Sequence, residues 1–220
     1  MPETRACVRI LALLLLCLVP ASLFAADVAG GPEDTAIGHV SRVQGTSFLV
    51  RGSELRDVKP GAPVLRGESL RTGPNARVEL TMLDETKLTV GADAVFDLER
   101  YDLGRQRGEG AVLLRLAKGA FRVATGKLDA LRGGPFEVST PVATIGIRGT
   151  DFWGGYLSEN EVSVLLISGS GVYVKNDAGK SEIVKAGFGL TVRSRGEIPP
   201  PASMWSPDKA ARAFATVTFD

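Results

Sequence analysis

Between Ile37 and about Arg195, apolar residues fall on every second position in short runs separated by Gly, Pro, Asn and Asp. No other feature of the sequence limits the fold as tightly. Successive side chains of a strand point to opposite faces, so a two-residue period gives strands with one buried and one wet face. The expected fold is all-β, mainly an antiparallel roll or sandwich. A β-solenoid is the alternative, since short Gly-punctuated strands also build one. The irregular spacing of the punctuation favours the roll or sandwich.

Val78, Leu80 and Met82 alternate with Arg77, Glu79 and Thr81, and Leu88 and Val90 alternate with Lys87 and Thr89. A turn at Asp84-Glu85 between them predicts a hairpin. Phe96 and Leu98, then Val112, Leu114 and Leu116, then Phe121 and Val123 repeat the pattern. Val164 to Ile167 is apolar without interruption, which predicts a strand covered on both faces. The one clear helix start lies near the end. Ser206 can cap, Pro207 suits the first helical position, and Asp208 suits the positive end of the helix dipole. Pro199, Pro200 and Pro201 before it predict a stiff extended connection.

The N-terminal residues read as a secretory signal peptide over 1–26. Arg5 and Arg9 precede an uncharged apolar run from Ile10 to Val19, and Ala25 or Ala26 supplies a small residue for cleavage. The run is short for a membrane span. Residues 27–36 are expected to be a flexible lead, 37–195 the all-β domain, and 196–220 a Pro-rich connection with the short helix. Both cysteines, Cys7 and Cys17, fall in the cleaved segment, so the secreted chain would carry no disulfide and no thiolate site. The expected location is periplasmic or secreted, with no transmembrane segment after cleavage.

Composition narrows the chemistry. Hydrophobic residues make up 44% and charged residues 23%, which excludes a disordered chain. The net charge of +1 gives no reason to expect a nucleic acid partner. His39 is the single histidine, so no Ser-His-Asp set forms without it. No P-loop or dinucleotide fingerprint occurs. Asp84, Asp97, Glu99, Asp102 and Asp151 are the carboxylates from which a glycosidase pair would have to come. Alternation puts Asp97 and Glu99 on the solvent face, and Asp84 belongs to the hairpin turn. No metal, cofactor or catalytic residue is expected, and the chain reads as a non-enzyme.

Residues 140–153 carry the most information. They run Thr140, Pro141, Val142, Ala143, Thr144, Ile145, Gly146, Ile147, Arg148, Gly149, Thr150, Asp151, Phe152, Trp153. Glycines at 146 and 149 flank Arg148, whose guanidinium can fold back onto carbonyls or a carboxylate. Thr150 and Asp151 can bond local amides. The candidate site is therefore Thr140, Pro141, Gly146, Arg148, Gly149, Thr150, Asp151 and Phe152. It is either a structural corner with a buried or semi-buried, internally paired Arg148, which is the favoured reading, or a recognition surface.

This run resembles the signature of FecR-type periplasmic domains. Other pieces agree in order: Gly67 to Gly73, the hairpin Val78 to Val90 with Asp84-Glu85-Thr86 where the family usually has Asp-Gly-Ser, and Leu116, Gly119, Phe121 and Arg122. The resemblance spans roughly Ile37 to Val174. It implies an all-β envelope domain. In its best-known members the domain follows a membrane helix and relays a signal from an outer-membrane receptor to a cytoplasmic sigma factor. Here no apolar span follows residue 26, so the expectation is a stand-alone secreted member. The expected function is a periplasmic binding or signalling module that contacts another envelope protein. The alternative is a peptidoglycan or polysaccharide binder using Phe152, Trp153, Tyr156 and Trp205 as platforms, although aromatic clusters more often belong to the core.

Overall fold

The structure, a computed structural model, describes residues 35–104, 109–127 and 133–220. The expected signal peptide and residues 27–34 of the expected lead lie outside the described residues. In chain order the elements are β1 (Ala36–Gln44), β2 (Ser47–Arg51), β3 (Glu54–Asp57), β4 (Pro63–Leu65), β5 (Ser69–Thr72), β6 (Arg77–Met82) and β7 (Lys87–Val90). They continue with β8 (Val95–Asp102), β9 (Ala111–Lys118), β10 (Ala120–Ala124), β11 (Phe136–Ser139), β12 (Thr144–Ile147) and β13 (Thr150–Ser158). The last are β14 (Glu161–Gly169), β15 (Val172–Asn176), β16 (Gly179–Ile183), β17 (Phe188–Val192), β18 (Ser203–Met204) and helix α1 (Pro207–Ala215).

Two nine-stranded sheets result. The first runs β18-β17-β14-β13-β10-β7-β6-β1-β4 and the second β16-β15-β12-β11-β9-β8-β5-β2-β3. The chain moves back and forth between them and advances along both, so strand numbers rise almost steadily across each sheet. That advance is solenoid-like, but the pairing is antiparallel throughout except between β9 and β11. The fold is thus the antiparallel two-sheet form, with open edges and no closed barrel.

The alternation explains the packing. In β6, Val78, Leu80 and Met82 point inward, and Val78 pairs with Val90 and Leu80 with Leu88 across the hairpin. Phe96 of the second sheet lies 5.3 Å from Phe121 of the first, which lies 5.5 Å from Phe152. These rings join the sheets in one core, each worth about 2–3 kcal/mol of burial. Glu85 adopts φ 68° at the hairpin turn, where Asp84 accepts a hydrogen bond from the Thr86 amide at 3.1 Å.

The uninterrupted run in β14 has the predicted double burial. Val164 and Leu166 face the main core, while Leu165 faces a second cluster with Ala120, Trp153, Trp205, Ala213 and Val217. Helix α1 makes that second cover possible. Ser206 caps it by accepting from the Lys209 amide, with Pro207 and Asp208 in the first turn. Beyond the helix the chain returns to β1, where Gln44 Nε2 donates to Asp220 Oδ2 at 2.7 Å.

Candidate functional site

The segment 140–152 divides into three structural parts. Thr140 directly follows β11, and its hydroxyl accepts from the Ala143 amide at 3.0 Å and donates to the Ala143 carbonyl at 2.8 Å, which fixes the turn into β12. Pro141 is exposed, and its carbonyl accepts from Arg195 Nε. Arg148 and Gly149 carry the chain from the second sheet to the first, with Gly149 at φ 76°. They cross beside Ser170 and Gly171: the Arg148 amide donates to the Gly171 carbonyl at 3.2 Å and the Ser170 amide to the Gly149 carbonyl at 2.9 Å. Thr150 opens β13, where its amide donates to Thr125 Oγ1 at 2.9 Å and its hydroxyl to the Ser168 carbonyl. Phe152 is fully buried in the core.

Two of these residues differ from the expectation. Asp151 does not bond local amides. It pairs with Arg122 on the neighbouring strand, accepting from Nε at 2.9 Å and Nη2 at 2.6 Å. This bond raises the Arg122 pKa against the opposing effect of burial. Arg148 is not a buried cation either. Its side chain is 53% exposed and donates to Glu182 at 3.1 Å. Inward Ile145 and Ile147 force Gly146 and Arg148 onto the outer face of the second sheet.

That outer face holds an aromatic platform. Glu137, Gly146, Tyr173 and Glu182 stand in one row across β11, β12, β15 and β16. The absence of a side chain at Gly146 lets the Tyr173 ring lie across the strand: a Cβ there would stand 1.9 Å from the ring. The Tyr173 hydroxyl donates to Glu137 Oε1 at 2.7 Å, and Lys175 Nζ donates to the same oxygen at 2.6 Å. Three cations surround the ring, with Arg148 at 5.7 Å, Lys175 at 5.6 Å and Lys180 at 4.6 Å from its centroid. Burial and the bond to Glu137 push the Tyr173 phenol up to about 12. Burial alone would raise Glu137, but hydrogen bonds from Lys175 and Tyr173 outweigh it and lower the carboxyl.

Residues 68–170 match the FecR protein family. This segment is a FecR domain. Two crystal structures of a proposed anti-sigma factor from Parabacteroides distasonis ATCC 8503, at 2.50 and 1.65 Å resolution, share the fold. Each has a TM-score of 0.51; identity is 16% for one and 17% for the other, over 65% of this chain and 62% of theirs. The chain therefore spans less than two thirds of those proteins' length. No curated protein matches the sequence.

The remaining candidates fall into structural roles around the FecR domain. Asp84 is buried and accepts from the Tyr101 hydroxyl at 2.6 Å and from Thr86 Oγ1 at 2.8 Å. Asp102 is bound by Arg66 and by Arg100. Asp97 is half-buried on the outer side of β8, while Glu99 and His39 are exposed. Among the described residues no group of His, Cys, Asp and Glu could hold a metal ion. Phe152 and Trp153 are fully buried and Trp205 nearly so, which removes them as open platforms. Tyr173, which sequence reasoning passed over, is an aromatic that faces outward. Its signal was an aromatic between Val172 and Val174, on the polar side of an alternating strand.

Proposed function

We propose that this protein is a secreted, periplasmic FecR-type binding and signalling module that contacts another envelope protein through the Tyr173 face and performs no catalysis. The platform of Tyr173, Arg148, Lys175 and Lys180 carries this reading. Tyrosine and arginine on a flat, partly desolvated surface are the groups that anchor protein interfaces. The FecR domain and the fold shared with a proposed anti-sigma factor support a role in signalling. The apolar run before residue 20 supports export. Among the described residues no helix is long and apolar enough to cross a membrane.

Site-specific photocrosslinking in intact cells tests the contact. A crosslinker in place of Tyr173 is expected to give one discrete protein adduct, and the same group in place of exposed Leu83 none. A ladder released only by cell-wall hydrolases would favour the glycan alternative. No adduct from either position would sink the reading. Amino-terminal sequencing of the protein from a periplasmic fraction checks export, with a start near residue 26 or 27 expected.

A further inference from the structure

Arg148 Nη2 and Lys180 Nζ converge on one oxygen, Glu182 Oε1, at 3.1 and 2.8 Å. The three side chains are between 42% and 53% exposed, so this arrangement sits at the surface and is not sealed into the fold. Glu182 also lines a cleft of about 490 Å³ beside the edge strand β16, together with Val184, Lys185, Phe188 and Ala202. Val184 there is 67% exposed, and Lys185 Nζ lies 4.9 Å from the Phe188 ring centroid. A pair of cations and an apolar cleft rimmed by a third cation therefore meet at a single carboxylate.

Resting on the reading of the Tyr173 face as a protein contact, we infer that this surface receives an extended acidic segment of the partner. The segment places one carboxylate between Arg148 and Lys180 and an apolar side chain, two residues on, in the cleft. Glu182 holds the carboxylate position in the unbound protein and gives it up on binding. The two-residue spacing follows from the strand itself, since side chains two apart share a face. Charge selects the partner: the three cations at the rim favour an anion, and a lysine in place of the incoming carboxylate would meet them unpaired. Simple strand addition to β16 is obstructed. Ser181 Oγ donates to the Pro199 carbonyl, so the Pro199–Pro201 connection already lies against this edge. Recognition is therefore through side chains.

The probe is the capped pentapeptide acetyl-Ser-Glu-Ser-Val-Ser-amide, titrated into the full chain and followed by amide chemical shifts. A control peptide carries Lys in place of Glu. The acidic peptide is expected to shift amides of β15, β16 and residues 184–188, and the lysine peptide none. Arg148→Ala with Lys180→Ala should weaken binding about tenfold, as losing a charge-assisted contact does. Glu182→Gln should tighten it, by up to about fivefold, because the internal competitor is gone. The inference is overturned if both peptides act alike, if the acidic peptide causes no shifts at millimolar concentration, or if Glu182→Gln leaves affinity unchanged or lowers it. A discrete crosslink from position 173 alongside any of these results would leave the contact standing and remove only its acidic partner.

Discussion

Arg122 and Asp151 form a two-pronged ion pair across β10 and β13, with Nε to Oδ1 at 2.9 Å and Nη2 to Oδ2 at 2.6 Å. One residue comes from the Leu116–Arg122 piece of the family resemblance and the other from the 140–153 run, so the pair ties two separate pieces together. The Arg122 side chain is 42% exposed and that of Asp151 18%, so solvent screens much of the attraction. Two-pronged geometry places the pair at the upper end of the range for surface ion pairs. Asp151→Asn is expected to cost about 1 kcal/mol in urea unfolding. An unchanged midpoint would mean the pair is not maintained in solution.

Glu85 holds φ 68° in the β6–β7 hairpin, a region where a side chain costs energy and glycine does not. The resemblance to FecR-type domains implies glycine at this turn. Glu85→Gly should therefore stabilise the protein by about 1 kcal/mol, less whatever its exposed contact with Lys127 contributes. Thermal melting reads the change, and a lower melting temperature would contradict the left-handed turn.

Much of this architecture is legible in period two. Val78, Leu80, Phe96, Leu114 and Phe121 all lie where alternation puts them, because burial of one strand face dominates the local choice. The cap at Ser206 is legible because capping depends only on neighbours in sequence. Partners across the sheets are not. Nothing local joins Asp151 to a residue 29 positions earlier. Nor does the sequence near Trp153 show that Trp205 will cover it. Arg148 has the internal carboxylate partner that its flanking glycines suggest, in Glu182, but the inward isoleucines beside it put it on the outside.

Arg148→Ala follows from that placement. With the side chain half exposed and its partner Glu182 also exposed, no buried charge is left behind. Urea and thermal midpoints should not move measurably, while crosslinking from position 173 should fall. A clear loss of stability would restore the buried-corner reading.

The Tyr173 platform also has a pH signature. Its phenol is pushed up to about 12 from an ordinary value of 10.0, first by burial and then by the bond to Glu137. The folded protein thus holds this proton more tightly than the unfolded chain. The stability it contributes is complete below about pH 10 and is lost as pH rises toward about 12. Burial raises Tyr101 and Tyr156 as well, with Asp84 adding to the effect at Tyr101. No phenol should therefore titrate at the ordinary value when phenolate absorbance is followed. Tyr173→Phe should remove the step near 12. Gly146→Ala should shift that step downward, because a Cβ displaces the ring from Glu137. A normal midpoint assigned to Tyr173 would dissolve the platform.

Trp205 stands outside the FecR-matched residues, yet its ring lies 6.0 Å from that of Trp153 at 67°, edge to face. Lys209 lies 4.2 Å from the Trp205 ring centroid, and Trp153 Nε1 donates to Thr216 Oγ1 at 2.9 Å. The C-terminal segment therefore seals the outer side of β13 that the domain itself leaves apolar. Trp205→Ala should cost about 3 kcal/mol, the low end for a large buried aromatic, because the ring sits at the margin of the protein. The chain has only 2 tryptophans, so the variant's fluorescence reports Trp153 alone. Its emission should move to longer wavelength as water reaches the uncovered ring, and the urea midpoint should fall with it. If emission and midpoint both hold, the seal is made without Trp205, by Ala213 of α1 and by Val217 beyond it.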